Sequence, residues 1–256
     1  MYLINKLKKR LYSQGFFSLM IHILKYPFLY GKRKSYKKML TKKDIKDRFI
    51  TIYEENLWQS KESISGEGSE ISYTKPLREW MLKEISQLNI KVFVDAPCGD
   101  FNWMKTIIPK LSIKYIGLDI VPSLINSNKI KYESKNVYFN VANICDDPLP
   151  DCDMIMVRDC LFHLSYEDIN KFLKNLDKTN YNYLFTSTHL NENLNKFSNK
   201  DILTGDFRYI DLFSKPFNFN NSNIYLRVED YIKGSMAPKE MILIEKKYVP
   251  KSIFLN

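Results

Sequence analysis

The sequence predicts an α/β fold, in which a doubly wound, mostly parallel β-sheet ends in an antiparallel strand and follows N-terminal basic helices. Short apolar runs rich in β-branched residues alternate with helix-like stretches between residues 91 and 187. Two of these runs end in carboxylates 24 residues apart, Asp95 and Asp119. Because this spacing is about one βαβ unit, the two carboxylates indicate a site for a nucleoside-containing ligand.

The alternating pattern predicts the strands and helices in order. Strands are expected near 91–95, 114–119, 136–141, 152–157 and 181–187, with helices near 101–110, 122–129 and 166–177. Thr74 as N-cap and Pro76 in the first turn predict a further helix through Leu88. A polar loop from Asn191 to Asn223 precedes two last strands near 224–229 and 240–246. This order is typical of a parallel sheet covered on both faces.

Charge divides the chain into two predicted regions, a basic amphipathic helical extension (1–48) and a globular domain (49–256). The net charge is +10, and residues 1–48 carry 14 Lys and Arg against two Asp. The domain is therefore nearly neutral, which disfavours nucleic acid as a partner. The apolar run 16–30 is shorter than the ~20 residues that span a bilayer. Two interpretations of the extension stay open: contact with an anionic membrane surface, or packing on the domain or a partner.

The cysteines indicate a reducing compartment. Cys98, Cys145, Cys152 and Cys160 form no C-x-x-C pair, so neither a metal site nor a redox pair is predicted. We expect reduced, buried thiols in a cytoplasmic protein. If the extension binds lipid, the protein is expected at the inner face of the membrane. The oligomeric state is left open.

The turn after the first strand carries a resemblance to a known family. It reads Asp95-Ala96-Pro97-Cys98-Gly99-Asp100-Phe101 and resembles the Asp-x-Gly-x-Gly-x-Gly motif of class I S-adenosylmethionine-dependent methyltransferases. Pro97 and Phe101 replace two glycines of that motif, and Gly99 remains, where a glycine lets the backbone approach the methionine portion of the cofactor. The resemblance implies a Rossmann-like methyltransferase domain over 49–256 with S-adenosylmethionine as cofactor.

Cofactor contacts follow from this resemblance. Asp119 is expected to accept hydrogen bonds from the ribose hydroxyls, and Ile120 to pack on the adenine. Asn143, or Asp146 in its place, would meet the adenine amino group where the family often has an acid. The full predicted set is Asp95, Pro97, Gly99, Asp119, Ile120, Asn143, Ile144, Arg158, Trp58 and Arg78, with the last two near the cofactor carboxylate.

The segment after the fourth strand, Val157 to Ser165, supplies the catalytic candidates. A neutral His163 can take a proton from an acceptor hydroxyl, and Asp159 is expected to orient it or hold substrate. A structural or substrate-positioning role for His163 is the alternative, and His189 is a second, substrate-binding candidate. The segment lacks an Asn-Pro-Pro-Tyr motif, which disfavours methylation of exocyclic base nitrogens.

Two polar segments, 52–74 and 205–219, are similar to a bacterial methyltransferase group often found with polysaccharide genes. The similarity implies an O-methyltransferase acting on a small-molecule or glycan precursor of capsule or surface polysaccharide, with a small-molecule or nucleotide-linked substrate. The nearest similarity is to a methyltransferase of capsule O-methyl phosphoramidate biosynthesis. The first segment is expected to close over the cofactor. In the second, Arg208 is expected to bind an anionic substrate group or to form an ion pair with Asp206 or Asp211.

Two other functions stay open. The basic extension is also compatible with an RNA methyltransferase, whose binding would depend steeply on salt. A non-catalytic scaffold that binds S-adenosylmethionine and docks a membrane assembly is the third hypothesis.

Overall fold

The computed structural model describes residues 35–41 and 44–253. The chain divides into two compact units, residues 1–43 and 44–256. In the first unit, residues 35–41 are helical. The other helices predicted for the extension, including the apolar run 16–30, lie outside the described residues. In the described ranges, no helix is long and apolar enough to cross a membrane.

The second unit is built on seven strands. They are β1 (Val92–Asp95), β2 (Lys114–Asp119), β3 (Val137–Val141), β4 (Met154–Val157), β5 (Tyr183–His189), β6 (Ile224–Glu229) and β7 (Lys239–Glu245). Their order in the sheet is β3-β2-β1-β4-β5-β7-β6. β1 to β5 pair in parallel, and β7 runs antiparallel to both β5 and β6. The predicted doubly wound, mostly parallel sheet is confirmed.

In the described part of this unit, four α-helices accompany the strands: α1 (Ile45–Glu54), α2 (Lys75–Gln87), α3 (Pro122–Tyr132) and α4 (Tyr166–Lys178). The Ser165 hydroxyl caps α4 by accepting a hydrogen bond from the Asp168 amide at 3.1 Å. Thr74 is the N-cap residue of α2, as predicted, but its side chain makes no capping hydrogen bond, because its hydroxyl donates to the Glu70 carbonyl at 2.9 Å. Pro76 nevertheless lies in the first turn of α2, as expected.

The helix predicted near 101–110 is replaced by two short 3₁₀ turns, Met104–Thr106 and Ile108–Lys110. Phe101 has a φ of 57°, which breaks helical geometry at the start of the segment. Pro109 has no amide hydrogen to give a continuing α-helix. The chain therefore crosses from β1 to β2 without an α-helix.

Apolar side chains pack on both faces of the sheet. Alternate residues of one strand belong to different clusters: Val94 packs with the apolar residues of α4, and Phe93 with those of α2. Both faces are thus buried, as the near-continuous apolar strands predict.

The strand order places the carboxyl ends of β1 and β4 at the point where the winding of the sheet reverses. From β1 the chain winds toward β2 and β3, and it then returns to β4 on the other side of β1. In open α/β sheets this reversal leaves a crevice in which ligands bind. Asp95 ends β1, Asp119 ends β2, and Arg158 follows β4 directly.

Candidate active site

The turn after β1 brings the backbone of Gly99 against the first polar segment, residues 52–74, which precedes α2 and is called the polar segment below. Gly99 has a φ of 53°, a conformation that side chains rarely adopt. A Cβ atom at Gly99 would lie 2.3 Å from the Ser65 hydroxyl oxygen. A glycine is therefore required here both by the backbone conformation and by the close approach of Ser65.

Asp100 fastens that polar segment to the turn. Its carboxylate accepts hydrogen bonds from the Ser63 hydroxyl at 2.9 Å and from the Ile64 amide at 3.1 Å. The Asp100 amide in turn donates to the Ser65 hydroxyl at 3.0 Å. Sequence reasoning missed this role of Asp100, because nothing in the local pattern indicates a partner 35 residues earlier.

Asp119 and Asp95 are both buried at the carboxyl edge of the sheet. The Asp119 carboxylate accepts hydrogen bonds from the amides of Gly99 at 3.1 Å and Val121 at 3.0 Å. Burial raises the pKa of Asp119 to about 6 despite these donors. Burial also raises the pKa of Asp95 to about 7, although the Tyr115 hydroxyl donates to it at 2.7 Å. The two carboxyls can thus change charge near neutral pH.

A cavity of about 1020 Å³, part of it open to solvent, lies between these elements. The structure brings most predicted site residues to its wall: Trp58, Asp95, Pro97, Gly99, Asp119, Ile120, Asn143, Ile144, Arg158, Asp159 and His163. Further wall residues come from α1 and from the polar segment that was expected to close over the cofactor: Ile45, Phe49, Tyr53, Ile64 and Ser65. The polar segment therefore forms part of the cavity wall.

The loop after β3 forms another part of the wall through Asn143, Ile144 and Cys145. The Asn143 side chain donates to the Asp146 carboxylate at 2.8 Å and accepts from the Cys145 amide at 3.1 Å. These bonds shape the loop, and the cavity wall contains Asn143 but not Asp146.

His163 lies in a 3₁₀ turn after β4 and faces the same cavity. Its Nδ1 lies 2.8 Å from the backbone carbonyl oxygen of Asp206. Because a carbonyl only accepts, Nδ1 carries the hydrogen, and the neutral ring keeps its lone pair on Nε2. Burial lowers the pKa of His163 below the usual histidine value, which favours that neutral form.

Asp159 does not orient His163, contrary to one of its two predicted roles. Its carboxylate instead pairs with Lys239 at 2.9 Å and with Arg158 at 3.4 Å. The Ser187 hydroxyl also donates to it at 3.2 Å. Burial alone would raise the pKa of Asp159, but the two cations outweigh burial and lower it. The carboxylate is thus held ionised, and the ring of His163 takes its partner from the loop before β6.

Arg158 is bound on several sides. Its guanidinium donates two hydrogen bonds to Asp230, each 2.9 Å, and one to the Gly68 carbonyl at 2.7 Å. Lys239 also binds Asp230. Arg158, Asp159, Asp230 and Lys239 thus form a charge-balanced network, which joins β4 to β7 and to the polar segment. Sequence reasoning missed Asp230 and Lys239, which lie more than 70 residues after Arg158.

Three predicted site residues do not line the cavity. The Arg78 guanidinium donates to the Ile71 carbonyl at 2.8 Å and to the Thr74 hydroxyl at 3.3 Å. His189 is buried, and its Nδ1 accepts from the Ile210 amide at 3.2 Å. Burial lowers the pKa of His189 to about 4. Arg208 donates to the Leu161 carbonyl at 3.2 Å.

The environment of Arg208 differs from both expectations. Asp206 and Asp211 form no ion pair with it among the described residues. Asp206 instead caps the Phe207 amide at 2.9 Å, and Asp211 accepts from Asn191 at 2.7 Å. The Nε and Nη1 atoms of Arg208 are buried without a hydrogen-bond partner, and burial lowers its pKa to about 10. In the described ranges, no group of three or more histidine, cysteine or acidic side chains is arranged to hold a metal ion.

Part of the chain matches a known protein family. Residues 94–179, about a third of the chain, match the family model described as "Methyltransferase domain". A search of curated proteins finds no match.

Solved structures share the fold at low sequence identity. A SAM-dependent methyltransferase of Leishmania major is 16% identical with a TM-score of 0.57, over 82% of this chain and 89% of that one. Magnesium protoporphyrin IX methyltransferase of Synechocystis, solved with SAH, is 10% identical with a TM-score of 0.54, over 79% and 99% of the chains. Human N-acetylserotonin methyltransferase, solved with SAM, is 13% identical with a TM-score of 0.51. That match covers 77% of this chain, which spans only 58% of the human enzyme.

Proposed function

We propose that this S-adenosylmethionine-dependent methyltransferase methylates a hydroxyl oxygen of a small-molecule or nucleotide-linked precursor of capsule or surface polysaccharide. The observation that carries the oxygen assignment is the position of His163, whose hydrogen-free Nε2 belongs to a ring that lines the same cavity as Asp119 and Gly99. The polysaccharide assignment is supported by the similarity of the two polar segments to a group of bacterial enzymes.

The residues at the carboxyl edge fit S-adenosylmethionine. Gly99 lines the cavity beside Ser65, which occupies the space that a Cβ atom would need, and Asp119 offers carboxylate oxygens to ribose hydroxyls. Ile120, Leu124 and Ile144 supply an apolar wall of the kind that an adenine ring needs. When bound, S-adenosylmethionine supplies an electrophilic methyl group on a positively charged sulfur.

The chain's own contribution to the reaction is orientation and proton removal. The wall positions the acceptor, and orientation of this kind accounts for much of the rate of such transfers. His163 takes the proton that the acceptor hydroxyl loses, because its Nε2 is an acceptor while Nδ1 is held by Asp206. A histidine with a lowered pKa is already neutral at cytoplasmic pH, so it is ready to act as a base.

The cavity favours a neutral hydroxyl over an anionic acceptor. In the described wall, Arg158 is the only arginine or lysine, and Asp230, Asp159 and Gly68 already engage its guanidinium. An anionic phosphoryl oxygen would need a cation more than a base. The buried Nε and Nη1 of Arg208, which have no hydrogen-bond partner, are the observation that favours an anionic phosphoramidate as the second candidate acceptor.

A methyl-transfer screen with S-adenosylmethionine deuterated in the methyl group tests this function. The panel contains nucleotide-activated sugars, phosphoramidate intermediates and a short RNA, and mass spectrometry with NMR locates the label. We expect label on a hydroxyl oxygen of a sugar derivative. Label on a phosphoryl oxygen would support the second candidate, and label on RNA would contradict both. Cofactor binding without transfer to any acceptor would indicate a scaffold.

A further inference from the structure

Three aromatic side chains surround the imidazole of His163. The distances between ring centroids are 4.7 Å to Phe162, 5.6 Å to Trp58 and 5.8 Å to Phe207. Phe162 is buried, Trp58 lines the cavity, and Phe207 exposes 47% of its surface. The proposed base thus lies between a ring of the cavity wall and a ring exposed to solvent.

Neighbouring groups hold the Phe207 ring in place. Its edge contacts with Phe162 and Tyr209 both have centroid distances of 5.5 Å. The backbone on either side is bonded, because the Phe207 amide donates to the Asp206 carboxylate at 2.9 Å and the Arg208 amide to the Phe162 carbonyl at 3.2 Å. The exposed ring is therefore a supported surface of fixed orientation.

A large aromatic side chain that is exposed beside a reactive group can bind part of a substrate. Small-molecule sites are lined mainly by hydrophobic and aromatic side chains, so an aromatic ring beside the cavity is a candidate ligand contact. Aromatic rings bind flat partners best, by offset stacking or edge contacts. Asp206 is the carboxylate nearest to Phe207 in sequence, and it accepts a hydrogen bond from the Phe207 amide. Its charge is therefore partly compensated and does not prevent an uncharged ligand from binding beside the ring.

We propose that Phe207 and Trp58 form an acceptor subsite for a six-membered ring with a flat apolar face. The inference rests on the proposed function and specifies its substrate class. The bound ring carries its hydroxyl toward Nε2 of His163. A pyranose and a planar aromatic ring share this chemistry, and a linear alcohol lacks it. Phe207 lies outside the cavity wall itself, so it extends the site from the cofactor toward the acceptor.

Saturation-transfer NMR on the full chain with S-adenosylhomocysteine tests the subsite without turnover. The probes are methyl glucopyranoside, p-cresol and, as a linear control, glycerol. We expect saturation of at least one ring probe and none of glycerol. Saturation of the glycoside alone would assign the subsite to sugars, and saturation of p-cresol alone to aromatic acceptors. If neither ring probe binds, or if glycerol binds equally well, the proposal is overturned.

Substitutions locate the binding. Phe207→Ala is expected to weaken the ring probe about tenfold, and Phe207→Leu by nearly as much, because leucine keeps apolar bulk but loses the flat face. Phe207→Tyr should retain binding. Tyr225→Ala is the matched control, since Tyr225 is 51% exposed on β6 and outside the cavity wall. Unchanged binding in Phe207→Ala would overturn the proposal. If the enzyme nevertheless transfers methyl groups to linear alcohols, the subsite proposal fails while the proposed hydroxyl methylation stands.

Discussion

The Nδ1 atom of His163 lies 2.8 Å from the carbonyl oxygen of Asp206. This single contact sets the tautomer of the proposed base, because it places the imidazole hydrogen on Nδ1 and the lone pair on Nε2. Asp206 belongs to the long loop between β5 and β6, and this loop also buries Ile210 and Leu212 in the core. In the proposed function, this loop sets the tautomer of the base through Asp206 and supplies Phe207 to the proposed acceptor subsite.

The Asp119 carboxylate is expected to dominate cofactor affinity. Asp119→Ala should weaken S-adenosylmethionine binding by about 100-fold or more, because charge-assisted hydrogen bonds contribute about 1.5–3 kcal/mol each. Isothermal titration calorimetry measures the change. Glu133→Ala, which alters an exposed carboxylate outside the wall, is the control and should bind normally. Unchanged affinity in Asp119→Ala would remove Asp119 from the cofactor site.

Gly99 is expected to be more sensitive to a side chain than another glycine with positive φ. Gly99→Ala introduces both backbone strain and a contact of 2.3 Å with Ser65, so it should lower the melting temperature and the cofactor affinity. Gly234→Ala is a matched control, because Gly234 has a φ of 89° but no atom within 4 Å of the added Cβ. It carries only the strain, roughly 1–2 kcal/mol. Equal losses in the two variants would show that the packing against Ser65 is unimportant.

Asp100 is expected to hold the polar segment against the β1 turn. Asp100→Ala removes the acceptor of Ser63 and Ile64, so amide hydrogen exchange over residues 63–66 should accelerate and cofactor affinity should fall. Asp146→Ala, which alters a carboxylate of the loop after β3, should leave that exchange unchanged. Unaltered exchange in Asp100→Ala would mean that other contacts hold the segment.

The raised pKa of Asp95 leads us to expect a specific pH dependence of the free energy of unfolding. Its pKa is raised from 3.8 to about 7 in the folded state, so the folded protein binds this proton more tightly than the unfolded chain does. The contribution of Asp95 to stability therefore falls as pH rises from about 4 to 7. Asp95→Asn keeps an acceptor for Tyr115 and removes the titration. Its stability relative to wild type should rise over that range by at most about 4 kcal/mol. Urea unfolding between pH 4 and 8 checks this, and a difference independent of pH would be the contrary result.

The sheet could be predicted from sequence because its signals are local. Apolar runs ending in Asp95 and Asp119 mark β1 and β2. The irregular turns at 101–110 were not predicted, although Pro109 is a local signal against a continuous helix; the positive φ of Phe101 and its ring contacts with Tyr115 and Phe139 are seen only in the structure. The helix pattern alone does not report that packing.

The site was predictable where a residue lies within about six positions after the end of a strand. Gly99, Arg158 and His163 all lie at the cavity for that reason. Partners distant in sequence were not predictable, and Lys239 and Asp230 are found only when β6 and β7 are placed beside β5. The same limit explains Arg78, which was expected near the cofactor but which hydrogen-bonds to Ile71 within its own neighbourhood.

The most direct test of the proposed function is the pH dependence of turnover in His163→Asn, with an acceptor found by the methyl-transfer screen. Asparagine can still donate to the Asp206 carbonyl, but it has no basic Nε2. In wild type, kcat should rise with pH as His163 loses its proton. Because burial lowers the pKa of His163, this rise is expected below pH 6.5, the ordinary pKa of histidine. In the variant, kcat should fall about 10²- to 10⁴-fold and lose this dependence, with cofactor affinity unchanged. Wild-type kcat with the same pH profile in His163→Asn would contradict the role of His163 as the base.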